Sequence, residues 1–153
     1  MPITISPERP DSADARALID ELEDILSAVY AAASRHGYSV EKLIRENVAF
    51  FVIRHDGEPA GCGGIQFFGD AYGEVKRMYV RPKFRGKGLA KMLLQHLEHF
   101  ARENNVRVLR LETGIHQHEA IGLYEKCGFV RIPPFGAYVK SADTSLCFEK
   151  KLP

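Results

Sequence analysis

The sequence predicts a mixed-sheet α/β or α+β domain, and three observations carry that reading. Helical and strand patterns follow one another as helix, helix, three strands, helix, strand, helix, two strands. A glycine-rich basic segment lies between a strand pattern and a helix pattern, where α/β folds commonly receive anions. The chain has 153 residues, 45% apolar and 27% charged, which suits one folded unit with its own core. A single domain over 1–153 is therefore expected, with no repeat, linker or low-complexity tract to divide it.

Each element has its own signal. Ala15 to Ala33 carry Leu18, Ile19, Leu22, Leu26, Val29 and Tyr30 at helical spacing, with Ser12 and Asp14 as N-cap candidates. Ser39 to Glu46 reads as a short helix capped by Ser39, with Lys42 where a full capping box needs Glu or Gln. Val48 to Arg54 and Ala60 to Phe68 flank the turn residues His55-Asp-Gly-Glu58 and predict a hairpin. Glu74 to Val80 supplies a third antiparallel strand. Leu89, Met92, Leu93, Leu97 and Phe100 form the apolar stripe of a long helix. Val106 to Glu112 is a strand, Gln117 to Lys126 a helix closed by Gly128, and Phe129 to Ile132 a short strand. Pro133-Pro-Phe-Gly136 is loop, Thr144 to Leu152 a last strand, and Ile3 to Ser6 adds an edge strand.

Composition narrows the function. Lys+Arg 21 against Asp+Glu 20 gives a net charge of +1, so the chain is no general magnet for nucleic acid or anionic membrane. Any anion site must be local. Cys62, Cys127 and Cys147 lack C-x-x-C spacing, which argues against a disulfide framework or thiolate metal site and for small buried hydrophobes. No apolar run approaches the ~20 residues that span a bilayer, and Met1-Pro-Ile-Thr-Ile-Ser6 lacks the layout of a signal peptide. A cytoplasmic protein is expected.

The segment Val80-Arg-Pro-Lys-Phe-Arg-Gly-Lys-Gly-Leu-Ala90, with Lys91, packs Gly86 and Gly88 among Arg81, Lys83, Arg85, Lys87 and Lys91. Unpaired N–H groups and the positive end of a helix dipole make a phosphate its natural guest. A Walker A loop fails, because Gly86-Lys87 is followed by Gly88 and not by a hydroxyl residue. A dinucleotide fingerprint counted from Gly86 puts Lys91 at its third glycine, and the preceding meander is foreign to a doubly wound sheet.

Arg85-Gly-Lys-Gly-Leu-Ala90 resembles the R/Q-x-x-G-x-G/A acyl-coenzyme A signature of the GNAT N-acetyltransferase superfamily. Gly73-Glu-Val-Lys-Arg-Met-Tyr-Val80 is similar to that family's bulged central strand. Glu119-Ala-Ile-Gly-Leu-Tyr-Glu-Lys-Cys-Gly-Phe129 is similar to its A-x-x-L-Y-x-x-x-G-F segment. The three stand in family order across residues 48 to 130. The resemblance implies the GNAT acyl-CoA N-acyltransferase fold, a mixed central sheet with a splayed strand pair flanked by helices. It also implies acetyl-CoA as cosubstrate, held by Arg85, Gly86, Lys87, Gly88, Leu89 and Ala90, by the backbone of Met78, Tyr79 and Val80, and by Gln117 and Tyr124. Gln117 stands where the family often has asparagine.

Acetyl transfer to an amine needs a free amine, a polarised carbonyl and a proton for the departing thiolate. An amine of pKa near 10 is almost wholly protonated at neutral pH, so a carboxylate that drains its proton raises the reactive fraction. By resemblance Glu74, eleven residues before Arg85, holds the place of the general base; Glu112, ending the next strand, is its rival. A main-chain N–H near Met78 or Tyr79 would polarise the carbonyl if the strand is bulged. Tyr124 is the candidate acid, since a phenol of pKa about 10 stays protonated at neutral pH and can donate to a thiolate. His116 and His118 are weaker proton carriers, and as an H-x-H pair they lack a third metal ligand; no metal is expected.

The leading expectation is an N-acetyltransferase acting on a small-molecule or protein amine, with no nucleic-acid or membrane partner and, by resemblance, a homodimer. The alternative is a non-catalytic GNAT-like module that binds coenzyme A or a protein. The acceptor is left open, because Arg35, His36, Tyr38, Phe135, Tyr138 and Lys140 near the expected mouth form neither an acidic trough nor a large apolar pocket.

Overall fold

The computed structural model describes residues 2–153. Its elements are β1 (Ile3–Pro7), α1 (Ala13–Ser27), α2 (Val40–Arg45), β2 (Ala49–His55), β3 (Glu58–Phe68) and β4 (Tyr72–Val80), followed by α3 (Leu89–Glu103), β5 (Val108–Gly114), α4 (His118–Lys126), β6 (Val130–Ile132) and β7 (Ser145–Lys151). The seven strands form one sheet in the order β1-β2-β3-β4-β5-β7-β6. All neighbours are antiparallel except β4 and β5, which run parallel. Among the described residues, no helix is long and apolar enough to cross a membrane.

Strand alternation divides the core between two faces. Phe50 and Val52 of β2 pack with Leu18, Ile19 and Leu22 of α1 and Leu43 of α2. Phe51, one residue out of phase, packs with Leu94 and Leu97 of α3 and with Tyr124 of α4. The sheet is therefore covered on both sides, and the gap between β4 and β5 opens between the two helix layers. Ser12 caps α1 by accepting from the Ala15 N–H at 3.1 Å, and Ser39 caps α2 through the Lys42 N–H at 3.1 Å.

Two features of β4 shape the site. The parallel pairing with β5 is confined to Gly73 with Leu109 and Glu74 with Arg110, after which the strands diverge. Between Cys62 and Gly64 of β3 the partners on β4 run from Tyr79 to Lys76, so β4 carries one extra residue. Arg77 sits in that bulge at φ 50°, a left-handed conformation that costs a non-glycine residue about 1–2 kcal/mol. Its buried guanidinium offsets this, donating from Nε to the Tyr38 carbonyl at 2.9 Å and from Nη2 to Glu23 at 2.7 Å. The expected bulge is present.

Several boundaries differ from the sequence reading. The first helix ends at Ser27 rather than Ala33, and Ala32–Ser34 forms a separate 3-10 turn. The break frees Tyr30 to cross to the β5–α4 loop, where its hydroxyl accepts from the His116 N–H at 2.9 Å and donates to Gln117 Oε1 at 3.1 Å. Gly114 permits the crossing, since a Cβ there would lie 2.0 Å from the Tyr30 hydroxyl oxygen. Strand β5 starts two residues later than expected, because the Val106 N–H closes the end of α3 on the Ala101 carbonyl at 2.9 Å. Beyond the expected loop, Gly136–Ser141 winds into a 3-10 segment that buries Tyr138 and Ser141.

Candidate active site

Two cavities meet in the β4–β5 splay. The larger, about 600 Å³, runs from the glycine loop along β4 to α4 and is lined by Met78, Tyr79, Val80, Arg85, Gly86, Gly88, Leu89, Ala90, Lys91, Gln117 and Tyr124, among others. The smaller, about 150 Å³, lies towards α1 and the Ser34–Tyr38 segment and includes His36, Lys76, Arg77, Glu112 and Tyr138 in its wall. Leu22, Met78, Gln117, Ala120 and Tyr124 line both, so the cavities share a wall at the phenol of Tyr124.

The glycine loop is built for close approach. Gly86 and Gly88 have φ 79° and 77°, and a Cβ on either would meet nothing within 4 Å. Packing does not explain these glycines; the turn conformation does, and it leaves the start of α3 open. Gly88 is the N-cap of α3 and has no side chain over the first helical N–H groups. A phosphate fits that arrangement, with the free amides and dipole end as donors.

The basic side chains around the loop divide. Arg81 is turned away, bonding Glu21 at 2.7 and 3.0 Å and the Pro59 carbonyl at 2.9 Å. Lys83 is held by Glu58 at 3.0 Å. Arg85, in only a loose surface contact with Glu119 at 3.6 Å, and Lys91 line the trough, whereas Lys87 is exposed beside it. The local cationic field is thus smaller than five basic residues suggest.

Along β4, the half beyond Glu74 has no β5 partner. Backbone groups around Met78 and Val80 therefore face the splay with the freedom of a sheet edge, able to bond an extended amide chain as an added strand would. Gln117, the N-cap of α4, stands across the gap with its side-chain carbonyl oriented by Tyr30.

The two candidate bases occupy different surroundings. Glu74 is 3% exposed and lines neither cavity. Its Oε2 accepts from Lys76 Nζ at 2.8 Å and from the Tyr138 hydroxyl. Glu112 lines the smaller cavity and accepts one side-chain bond, from Ser145 Oγ at 2.6 Å. Burial raises its pKa above the usual carboxylate value, and the negative charge of Glu74 adds to the rise.

Tyr124 is 6% exposed, and its phenol is pushed well above its ordinary pKa first by burial and then by the charge of Glu112. The phenol is therefore a proton donor at any physiological pH. His116 and His118 are exposed on the rim of the larger cavity. Cys62 is buried with its thiol pushed up to about 12, which makes it an inert packing residue. Among the described residues, no group of His, Cys, Asp or Glu is arranged to hold a metal ion.

Sequence reasoning did not place Tyr30, Ser141 or Ser145 at the site. Tyr30 reads as one more apolar position of a helix, and a serine carries no periodic signal that separates a buried hydroxyl from a loop.

Comparison with known proteins agrees with this geometry. The model of the Acetyltransferase (GNAT) family matches residues 15–129. A protein of Azospirillum brasilense named IAA acetyltransferase is 39% identical over 151 residues, spanning 98% of each chain. The crystal structure of a Klebsiella pneumoniae protein assigned to the acyl-CoA N-acyltransferases is 36% identical, with a TM-score of 0.85 over 99% of this chain and 98% of that one. A GNAT family acetyltransferase from Elizabethkingia anophelis, solved with acetyl-CoA bound, shares the fold at a TM-score of 0.74 and 18% identity, over 98% of each chain. A mixed sheet splayed beside a glycine loop is the acyl-CoA N-acyltransferase architecture. The chain belongs to the GNAT acetyltransferase family and is an N-acetyltransferase.

Proposed function

We propose that this chain moves an acetyl group from acetyl-CoA to a primary amine, with Glu112 as general base and Tyr124 as general acid. The meeting of the two cavities at Tyr124, one carrying the glycine loop and the other Glu112, is the observation that carries this reading. Acetyl-CoA, when bound, supplies an activated carbonyl and a thiol leaving group. The amides of Gly86 to Ala90 hold its phosphates with Arg85 and Lys91 alongside, and Lys87 stands near enough to add long-range attraction. The freed edge of β4 at Met78, Tyr79 and Val80, with Gln117 opposite, holds the amide-bearing arm. A main-chain N–H near Met78 polarises the carbonyl.

The acceptor enters the smaller cavity as a small amine or as the end of a protein side chain. Glu112 withdraws the ammonium proton, and its raised pKa narrows the gap to the amine's own. Tyr124 donates its hydroxyl proton to the departing sulfur and is reprotonated by the second N–H proton, which the acceptor nitrogen releases as the amide forms. Glu74 acts indirectly, holding Lys76 and Tyr138 in the cavity wall and raising the pKa of Glu112.

The experiment is thiol release from acetyl-CoA with a panel of amines, comparing wild type with Glu112→Gln. Amine-dependent release that falls about 10²-fold in the variant supports the reading. Coenzyme A binding without release for any amine would favour the non-catalytic module.

A further inference from the structure

Acetyl transfer to an ammonium leaves a proton to be disposed of. Of the three N–H protons on the acceptor, one stays on the amide product, one goes to the leaving sulfur, and one must reach the medium in each turnover. If the acceptor fills the smaller cavity, it displaces the water that could take this proton from Glu112. Another exit is then needed.

The structure contains one. Ser145 Oγ lies 2.6 Å from Glu112 Oε2, Ser141 Oγ lies 3.1 Å from Ser145 Oγ, and His36 Nε2 lies 2.6 Å from Ser141 Oγ. Both serines are buried, at 3% and 5% exposure, whereas His36 is half-buried at the cavity rim next to the exposed Gly37. Ser141 and Ser145 are brought together by a turn that the Thr144 N–H closes on the Ser141 carbonyl at 3.0 Å, whereas Glu112 and His36 reach them from β5 and the segment before α2. The Ser141 hydroxyl also donates to the Tyr138 carbonyl, at a longer 3.5 Å.

From this geometry we infer that Glu112, Ser145, Ser141 and His36 form a proton relay that exports the proton taken from the acceptor. The inference rests on Glu112 as the base. With Glu112 protonated and His36 carrying its proton on Nδ1, the donors run Glu112 to Ser145, Ser145 to Ser141, and Ser141 to His36 Nε2. Transfer breaks the Glu112 O–H bond and forms a new Ser145 O–H bond. Ser145 passes its own proton to Ser141, which passes its own to His36 Nε2. Glu112 is then a carboxylate accepting from Ser145, and the imidazolium loses its Nδ1 proton to water. Rotation of the two hydroxyls and a tautomer change in His36 reset the chain.

The surroundings favour the hand-over. Burial lowers the pKa of His36, as does the charge of Lys76 on β4, against an opposing effect from Glu74; the imidazole and the Tyr138 ring meet in a T-shaped contact with centroids 5.1 Å apart. Burial raises Glu112, so the two ends of the relay move towards each other. Each hydroxyl can donate and accept, which an apolar or amide side chain at positions 141 or 145 could not do in the same way.

Buffer rescue of His36→Ala tests the relay. In dilute non-protonatable medium its kcat should fall about 10²-fold with KM for acetyl-CoA nearly unchanged, because proton transfer and not cosubstrate binding is lost. Added imidazole should restore kcat in a saturable manner and leave wild type unaffected. Ser141→Ala should show the same loss without rescue, whereas Ser141→Thr, which keeps a hydroxyl, should retain activity. A wild-type kcat in folded His36→Ala and Ser141→Ala would overturn the relay, as would a loss that imidazole cannot touch in His36→Ala. Glu112→Gln in the same assay separates the two ideas. A full rate there removes the base itself, whereas a lost rate there with intact His36→Ala and Ser141→Ala removes only the exit route.

Discussion

Glu74 and Glu112 lie on adjacent strands beside the point where those strands part, and they have opposite fates. Glu74 is enclosed and paired, its Oε2 accepting from Lys76 and Tyr138. Glu112 faces a cavity with a single serine bonded to it, and burial leaves its charge poorly compensated. An acid that is partly desolvated and near a substrate cavity has both drive and access. On the proposed reading, two carboxylates of similar position are divided between structure and chemistry by their partners.

The difference can be broken first on stability. Glu74→Gln leaves the 8%-exposed ammonium of Lys76 without its counter-charge, and removing one partner of such a buried pair costs about 3–5 kcal/mol. At roughly 2–4 °C per kcal/mol for a chain of this size, the melting temperature should fall by roughly 6–20 °C. Differential scanning calorimetry reads this directly, and an unchanged Tm would show that Glu74 is not the structural acid.

A second test concerns the phenol that Glu112 faces across the shared wall. Tyr124→Phe keeps the packing against Phe129 and Phe148 but removes the proton donor, so kcat should fall by about 10²-fold with acetyl-CoA affinity nearly unchanged. Steady-state kinetics with calorimetric titration of acetyl-CoA checks both halves of that statement. A wild-type kcat would reduce Tyr124 to a core aromatic.

The smallest expected effect runs in the opposite direction to the first. A carboxyl whose folded pKa is raised adds stability while both states are protonated and loses it as pH rises through the folded pKa. At neutral pH the ionised Glu112 therefore costs stability. Glu112→Gln should raise Tm at pH 7, and the gain should vanish below about pH 4. Thermal melts across that range show whether the gain exists and whether it has this sign.

How much of this was legible in the sequence follows from the range of each interaction. The glycine loop and the apolar stripes were readable because each is a local pattern, whereas the bulge of β4 came from the family resemblance; the family match covers the loop and the strand. The resemblance favoured Glu74 as base by its position. Lys76, two residues on and on the same face of a strand, is the one local sign that Glu74 would be occupied. The other partner, Tyr138, comes from 64 residues away in a 3-10 segment with no periodic signature. Likewise His36 meets Ser141 across 105 residues. Arg81 looked like part of a phosphate site, but its ion pair with Glu21, 60 residues earlier, holds it out of the trough lining. Helix α1 stopped early because Tyr30 gains partners in the β5–α4 loop that helical continuation would forfeit.

The assignment of the base is tested most directly by the pH dependence of kcat/KM in Glu112→Gln and Glu74→Gln, measured side by side from about pH 6 to the amine's own pKa near 10. The account predicts that Glu112→Gln loses about 10²-fold at neutral pH and that the loss shrinks as solvent takes over deprotonation at high pH. Glu74→Gln should instead show a deficit that is flat with pH and follows its lowered melting temperature. A pH-dependent defect in Glu74→Gln, with none in Glu112→Gln, would contradict the account and return the base to β4.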